Sequence, residues 1–375
     1  MKLIAQLKLL PSPEQADALR ATLEMANAAC DYVSRVAWES GAFREYPLRK
    51  LVYGDLRATY GLGAQIAQLC VAKVADAYAH GRTARRTFKP HGSIAFDDRN
   101  LSYALPDASV SVWTLRGRER IPFVCGDRQR QLLYTRRGES DLVYSNGQWY
   151  LLATCEVEEA APGDLDDALG VDLGVVNIAT DSDGEVHSGR AVNNVRARHR
   201  RLRAKLQAKG TKGARRRLRR LAGKERRFAR HTNHVISKRI VAKAERTTRA
   251  IALEDLTGIR TRARARKPQR ATLHSWAFAQ LRAFVAYKAR RAGVRVILVD
   301  PRHTSRTCPA QRCGHVDERN RLSQGVFRCV RCGFAGHADA IAAENIRRAA
   351  VSRLHCSDLT TAESARAKPT ALRRG

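Results

Sequence analysis

Apolar and polar positions alternate loosely over residues 2–10, which reads as a strand. Ser12 and Gln15 then form an S-x-x-Q capping box with Pro13 at the first helical position. Leu19, Leu23, Ala26, Cys30 and Val33 recur at helical spacing behind it. A second helical stretch runs from about Leu62 through Ile66, Leu69 and Val74 to Gly81, a residue suited to end a helix. Over residues 88–158 the period shortens. Runs such as SVSVW, LVYS and WYLLATCEV, separated by Gly, Asp and Asn, predict antiparallel β-structure. APGDLDDA at 161–168 reads as a linker. LGVDLGVVNIATDSDGEV, from Leu169, reads as two strands with a turn at SDG. Residues 192–247 predict a long helical segment, broken near Lys209–Gly213. IALEDL (251–256) and VRVILVD (294–300) predict strands, with a basic loop at 261–270 and a helix at 274–292 between them. HADAIAAENIRRAAVSRL (337–354) predicts a closing helix, and 355–375 reads as a disordered tail.

The chain has 375 residues, enough for about two or three domains with their own cores. It contains no apolar run of about 18 residues, and its first ten residues make a poor secretion signal, so a cytoplasmic, non-membrane protein is expected. Net charge changes this picture most. The formal value is +33, with residues 1–170 summing to zero and residues 191–270 carrying +24. From Arg196 to Arg230 there are 17 Lys or Arg among 35 residues, and Glu225 is the only acid. A solvated helical face usually mixes signs. A nearly pure positive one needs a polyanion, and arginine's planar fork suits phosphate. Arg198, Arg200, Arg201, Arg203, Arg215, Arg216, Arg217, Arg219 and Arg220 are therefore the expected backbone-binding residues.

Of nine cysteines, four cluster: Cys308, Cys313, Cys329 and Cys332. A tight cluster in a chain without a disulfide framework reads as a metal site, with His315 as a substitute ligand and plain reduced thiols as the simpler reading. Three carboxylates also stand out. Asp172 lies inside an apolar strand, where an unpartnered charge is costly. Glu254 ends another, beside Asp255, which faces the opposite way. Asp339 opens a helix, where it also serves as a simple cap. If the three converge they form a hard-oxygen ligand set suited to Mg²⁺.

VDLGVVNIAT, IALEDLTGI and ADAIAAENI resemble the three motifs of a split RuvC-like nuclease of the RNase H fold. HTSRTCPAQRCGHV…FRCVRCGF resembles the zinc ribbon inserted before the third motif. Their order resembles TnpB, the RNA-guided nuclease family of insertion sequences, related to the compact type V CRISPR nucleases. The resemblance covers about residues 1–350. It implies Asp172, Glu254 and Asp339 as catalytic acids holding two Mg²⁺ ions, with Mn²⁺ as a substitute, and one structural Zn²⁺ on Cys308, Cys313, Cys329 and Cys332. It implies a guide RNA and target DNA as partners, and an RNA-guided endodeoxyribonuclease that cuts beside a short flanking motif. A monomer in the nucleoid is the expected form. A nuclease-inactive guided repressor and an unguided RuvC-like nuclease are the alternatives. The chain departs from the family twice. Its first cysteine pair is C-x4-C rather than C-x2-C, and Ile341 stands where an Asn two residues after the third acid is common.

The expected fold is α+β and multidomain. Residues 1–10 and 82–165 form a β-barrel-like domain holding a helical insertion at 11–81. Residues 168–303 and 337–354 form an RNase H-like α/β domain holding the ribbon at 304–336.

Overall fold

The alternation at the start of the chain becomes strand β1 (Lys2–Leu9), which buries Ala5, Leu7 and Leu9. Helix α1 (Pro13–Ser40) begins at the capping box: Ser12 Oγ accepts the Gln15 N–H, and Gln15 Oε1 accepts the Ser12 N–H at 3.1 Å. This is a computed structural model, which describes residues 1–163, 165–257 and 278–366, the side chains of 356–366 excepted. Helix α2 (Glu45–Ala58) follows, then α3 (Ala64–Ala79). Helix α2 carries a weak signal in the sequence. Its buried stripe is only Leu48, Val52 and Leu56, and Pro47 and Gly54 dilute the helical signal.

The antiparallel region resolves into β2 (Ile94–Phe96), β3 (Leu101–Ala104), β4 (Ser109–Thr114), β5 (Gly117–Val124), a short helix α4 (Asp127–Leu133), β6 (Arg136–Ser145) and β7 (Gln148–Glu156). The sheet order is β2-β6-β7-β1-β5-β4-β3. Its end strands do not bond through backbone. Instead Tyr103 of β3 donates its hydroxyl to Ser140 Oγ of β6 at 2.9 Å, which brings the sheet near a barrel. Leu19, Leu23 and Val71 of the helices share one hydrophobic cluster with Leu7, Val110 and Leu151 of the strands. The chain divides into two units, Met1–Glu158 and Glu159–Gly375.

The second unit opens with β8 (Ala168–Asp172), β9 (Asn177–Asp181) and β10 (Val186–Ser188). These are three strands where two were expected, because a tight turn around Gly174 splits the first run and SDG turns the second. Helices α5 (Arg190–Lys209) and α6 (Lys212–Arg246) follow, then β11 (Ala250–Glu254), α7 (Phe278–Arg291) and β12 (Val296–Val299). The expected basic loop at 261–270 lies outside the described residues. A 3₁₀ turn (Glu318–Asn320) precedes the hairpin β13 (Val326–Arg328) and β14 (Ala335–His337). Helix α8 (Ala338–Arg366) starts directly after it and runs beyond the expected end at Leu354. Among the described residues no helix is long and apolar enough to cross a membrane.

The five-stranded sheet has the order β10-β9-β8-β11-β12. β8, β11 and β12 are parallel, and β9 is antiparallel to its neighbours. Strand period two divides its faces. Leu169, Val171, Ile251 and Leu253 pack with Ile240 and Val241 of α6 and with Leu281 and Val285 of α7. Ala168, Ala250 and Ala252 face Ile346, Ala350 and Leu354 of α8. Small residues on this second face let α8 come close. At Gly170 the approach leaves no room for a side chain, since a Cβ there would lie 2.0 Å from the Ala343 carbonyl oxygen and 2.6 Å from the Arg347 nitrogen. Neither atom belongs to a movable side chain. Gly170→Ala is expected to destabilise the second unit by more than about 3 kcal/mol, beyond the usual cost of overpacking. Urea unfolding monitored on the full chain checks this, and a loss below about 1 kcal/mol would contradict it.

Candidate metal centres and nucleic-acid interface

The face division fixes where the acids point. Asp172 has the parity of Ala168 and Gly170, and Glu254 that of Ala250 and Ala252, so both carboxylates leave their strand ends on the α8 side. β8 and β11 are parallel with Val171 opposite Leu253, which sets the two strand ends side by side. Asp339 is the second residue of α8 and is 5% exposed. Burial first, then the charges of Glu254 and Asp339, push the Asp172 carboxyl up to about 7. Burial also raises Glu254, against the Thr304 hydroxyl and Arg321, which lower it. Asp255 has the other parity. It is half-buried, bonds Thr257 and pairs with Arg282 at 2.9 Å.

Glu254 and Asp339 each have a supporting group. Thr304 donates its hydroxyl to Glu254 Oε1 at 2.5 Å. Asn177 Nδ2 donates to Asp339 Oδ2 at 2.9 Å, and Arg321 lies 3.4 Å from Asp339 Oδ1. Asn345 Nδ2 donates to the carbonyls of Thr304 at 2.7 Å and Thr307 at 2.8 Å, so α8 also holds the loop that carries Thr304. Three acids and one arginine leave an excess of negative charge in a partly desolvated place. Their oxygens are the donor type of Mg²⁺ or Mn²⁺. The Asn that the sequence led one to seek near position 341 has a counterpart in Asn177, on β9. Ile341 is 6% exposed and packs with Cys308, Phe327, Cys329 and Ala338.

The four clustered cysteines converge. Cys308 Sγ lies 3.6 Å from Cys332 Sγ, and Cys313 Sγ lies 3.8 Å from Cys329 Sγ. All four sulfurs lie within 4.8 Å of one another. Four thiolates at about 2.3 Å from a tetrahedral ion stand about 3.8 Å apart, whereas disulfide sulfurs stand about 2.05 Å apart. The spacing therefore fits a shared metal ion. Backbone turns shape the knuckles: Cys329 N–H bonds the Phe334 carbonyl at 2.8 Å, and Gly333 N–H bonds the Cys329 carbonyl at 3.0 Å with Gly333 at φ +77°. The four-residue spacer of the first pair does not prevent convergence.

Helices α5 and α6 fold against each other through Leu206, Ala214 and Leu221. Gly210, at φ +62°, ends α5, and the Thr211 hydroxyl caps α6 by accepting from Ala214 N. Arg198, Arg200, Arg201, Arg215, Arg216, Arg217, Arg219 and Arg220 are all exposed. Arg203 differs. It is half-buried and forms an ion pair with Glu225, which His199 Nδ1 also meets at 3.2 Å. The segment's single acid thus ties the hairpin together and takes Arg203 away from the exposed basic surface.

Two family models match, beginning at the end of the first unit and running through the second. One, described as "Probable transposase", covers residues 153–257, and "Cas12f1-like, TNB domain" covers residues 278–346. Over these segments the chain is similar to TnpB-like and Cas12f1 proteins. A CRISPR-associated endodeoxyribonuclease Cas12f1 of Sulfoacidibacillus thermotolerans is 33% identical over 217 residues, which is 53% of this chain and 50% of that one. A TnpB-like protein of Methanocaldococcus jannaschii is 33% identical over 126 residues, 33% of this chain and 44% of that protein. The chain spans about half the length of the curated relatives it matches. A solved structure, the Cas12f1–sgRNA–target DNA complex, superposes with a TM-score of 0.57 at 15% identity, over 90% of this chain and 83% of that one. At that identity the likeness speaks for the fold alone.

The TnpB-like motifs led to the three acids but not to their supports. Asn177, Thr304, Arg321 and Asn345 lie in β9, in the loop after β12, in the ribbon and on α8. Parity along β8 and β11 could have chosen Glu254 over Asp255, but no local signal marks Thr304 or Arg321. Asn177→Ala is expected to raise the Mg²⁺ concentration needed for half-maximal activity by about 10–100-fold, the usual cost of losing a group that orients a metal ligand. Titration of activity against Mg²⁺ checks it, and an unchanged midpoint would remove Asn177 from this role.

Proposed function

We propose that this chain is an RNA-guided DNA endonuclease of an insertion sequence that hydrolyses phosphodiester bonds at Asp172, Glu254 and Asp339. The observation that carries the reading is the electrostatic coupling of these three acids at the ends of β8 and β11 and the start of α8. The mixed sheet supports an RNase H-like reading of the second unit, with residues 168–303 and 337–354 as its body. The near-barrel sheet of residues 1–10 and 82–165, the helices of 11–81 and the ribbon of 304–336 complete the domain scheme.

The acids fit Mg²⁺, two ions of which supply a nucleophilic hydroxide and stabilise the leaving oxygen in phosphodiester hydrolysis. The chain's own residues do the rest. Thr304 fixes one oxygen of Glu254, and Asn177 fixes one of Asp339. Arg321 lowers the proton affinity of Asp172 and Glu254. The exposed arginines of α5 and α6 hold nucleic-acid backbone. The sulfurs of Cys308, Cys313, Cys329 and Cys332 hold Zn²⁺, which shapes the ribbon carrying Arg321. Base pairing with a guide supplies sequence choice, while the protein reads backbone and a short flank.

Plasmid cleavage tests the reading. The gene is expressed with its native downstream DNA so that a guide copurifies. The complex is then offered a target library with a randomised flank in Mg²⁺. Cuts beside one short flanking motif are expected. Binding at such targets without cuts would favour a guided repressor, and specific cutting by RNA-free protein would favour an unguided nuclease.

A further inference from the structure

Two buried nucleophiles in the first unit play no part in the proposed function. Cys30 of α1 and Cys70 of α3 are 0% and 3% exposed. They stand 40 residues apart, with α2 between them in the chain. Yet each sulfur reaches the other helix. Cys30 Sγ lies 3.8 Å from the Cys70 carbonyl oxygen, and Cys70 Sγ lies 3.6 Å from the carbonyl oxygen of Ala26, one turn before Cys30. The thiols also bond each other. That bond lowers the Cys30 thiol below its ordinary value and, together with burial, pushes Cys70 well above it.

The helix crossing is built around this pair. Ala26 and Ala67, about one turn before each cysteine, are fully buried, and their small side chains suit a close approach of the two helices. Lys73, about one turn after Cys70, also reaches α1, donating to Asn27 Oδ1 at 2.8 Å. Its ammonium charge favours a thiolate on either sulfur. A cysteine that merely fills space needs no such neighbours. Cys155, also buried, packs its sulfur against backbone, 3.6 Å from the Ala153 carbonyl oxygen of its own strand.

We propose that Cys30 and Cys70 are a redox-active dithiol, which a peroxide converts into a disulfide that fastens α1 to α3. The Cys30 thiolate attacks one peroxide oxygen and the O–O bond breaks. The departing hydroxide takes up the proton that Cys30 gave away and leaves as water, and Cys30 becomes a sulfenic acid. The Cys70 sulfur then attacks the Cys30 sulfur and the S–O bond breaks. The second hydroxide leaves with the Cys70 proton, again as water. Two thiols thus lose two electrons, and one hydrogen peroxide gains them to give two waters. Hydrogen peroxide is close to water in size, which fits thiols this enclosed. The product is neutral and suits an apolar core. Two sulfurs fall short of the four donors of a closed thiolate metal site.

The test treats the full chain with hydrogen peroxide, quenches it, alkylates under denaturing conditions without reductant and digests with trypsin. Residues 21–35 and 58–73 are tryptic peptides with one cysteine each, Cys30 and Cys70. Mass spectrometry is expected to find these two peptides linked, and a phosphine reductant to separate them. The readout names both residues, so oxidation of the ribbon cysteines does not obscure it. The thermal midpoint of the first unit should rise by about 4–16 °C on oxidation, since the bond closes a long loop in the unfolded chain. Tryptophan fluorescence follows it, because Trp38, Trp113 and Trp149 lie there. Cys70→Ala, treated alike, should show no rise. Should that variant fail to fold, the peptides of the wild-type chain still decide. Cys30 and Cys70 both found alkylated after the ribbon cysteines have reacted, or linked to other cysteines, overturns the proposal. Linked peptides with an unchanged midpoint overturn the fastening of α1 to α3.

Discussion

Asp172→Ala is expected to abolish target cleavage while leaving target binding in place. Asp172 sits at the centre of the charge interactions: both other acids raise its carboxyl, and Arg321 lowers it. Alanine removes a carboxylate from the middle of the set, not a support at its edge. The loss should exceed the roughly 100-fold that a supporting group costs. The fold should survive. Asp172 ends its strand, the apolar residues of β8 keep their partners, and removing one of several mutually repelling carboxylates relieves charge repulsion. Cleavage and binding of the same target, measured on wild type and variant, check this. A variant cutting within about tenfold of wild type would remove Asp172 from a metal-holding role, since even a supporting group costs that much. Asp255→Ala is the matched contrast. Its side chain pairs with Arg282 on the other parity of the strand, so cleavage should change by less than about tenfold.

Removing the metal expected on the four cysteines should have the second large effect, through structure rather than chemistry. Structural zinc supplies about 10–16 kcal/mol of apparent binding energy to small domains, and this becomes folding energy. The ribbon has little else. Its buried cluster is Cys308, Phe327, Cys329, Ala338 and Ile341. Two of those five are the proposed ligands, and two belong to the first turn of α8, which carries Asp339. Chelation, or Cys329→Ser, should therefore release the ribbon, displace Arg321 and loosen the start of α8. Purified full chain should hold one zinc per molecule by elemental analysis. Chelation should remove it, lower the thermal midpoint of the second unit and leave cleavage lost after Mg²⁺ alone is returned. Protein isolated without chelator that carries no zinc, melts unchanged by chelator and cuts fully once Mg²⁺ is returned would show the cysteines to be plain thiols.

Asp172 stands out in the sequence because a charged residue inside an apolar strand needs a partner, but the set of three, and Glu254 over Asp255, comes from the resemblance of the motifs. The pairing of β8 with β11 then puts Asp172 and Glu254 on the same side of the sheet. The four cysteines were legible because their close spacing needs no knowledge of the fold. The supports were not. Asn177 reaches Asp339 across 162 residues, and Thr304 reaches Glu254 across 50. The Ile341 departure marked an absence near the third acid, but the asparagine that meets Asp339 comes from another strand. The basic segment was legible as charge, whereas the commitment of Arg203 to Glu225 depends on how two helices face each other.

By itself, the sequence determined the periods of its elements, the capped start of α1, the break between α5 and α6, the location of the positive charge and the residue types able to hold metal. These are local properties, set by side-chain spacing and backbone preference. Only the tertiary structure decided which face of β8 and β11 meets α8, that Gly170 must lack a side chain there, which neutral groups orient the acids, and that the Cys30 and Cys70 thiols meet. Each of those depends on two segments distant in sequence meeting at a few ångströms, and no local pattern carries that distance.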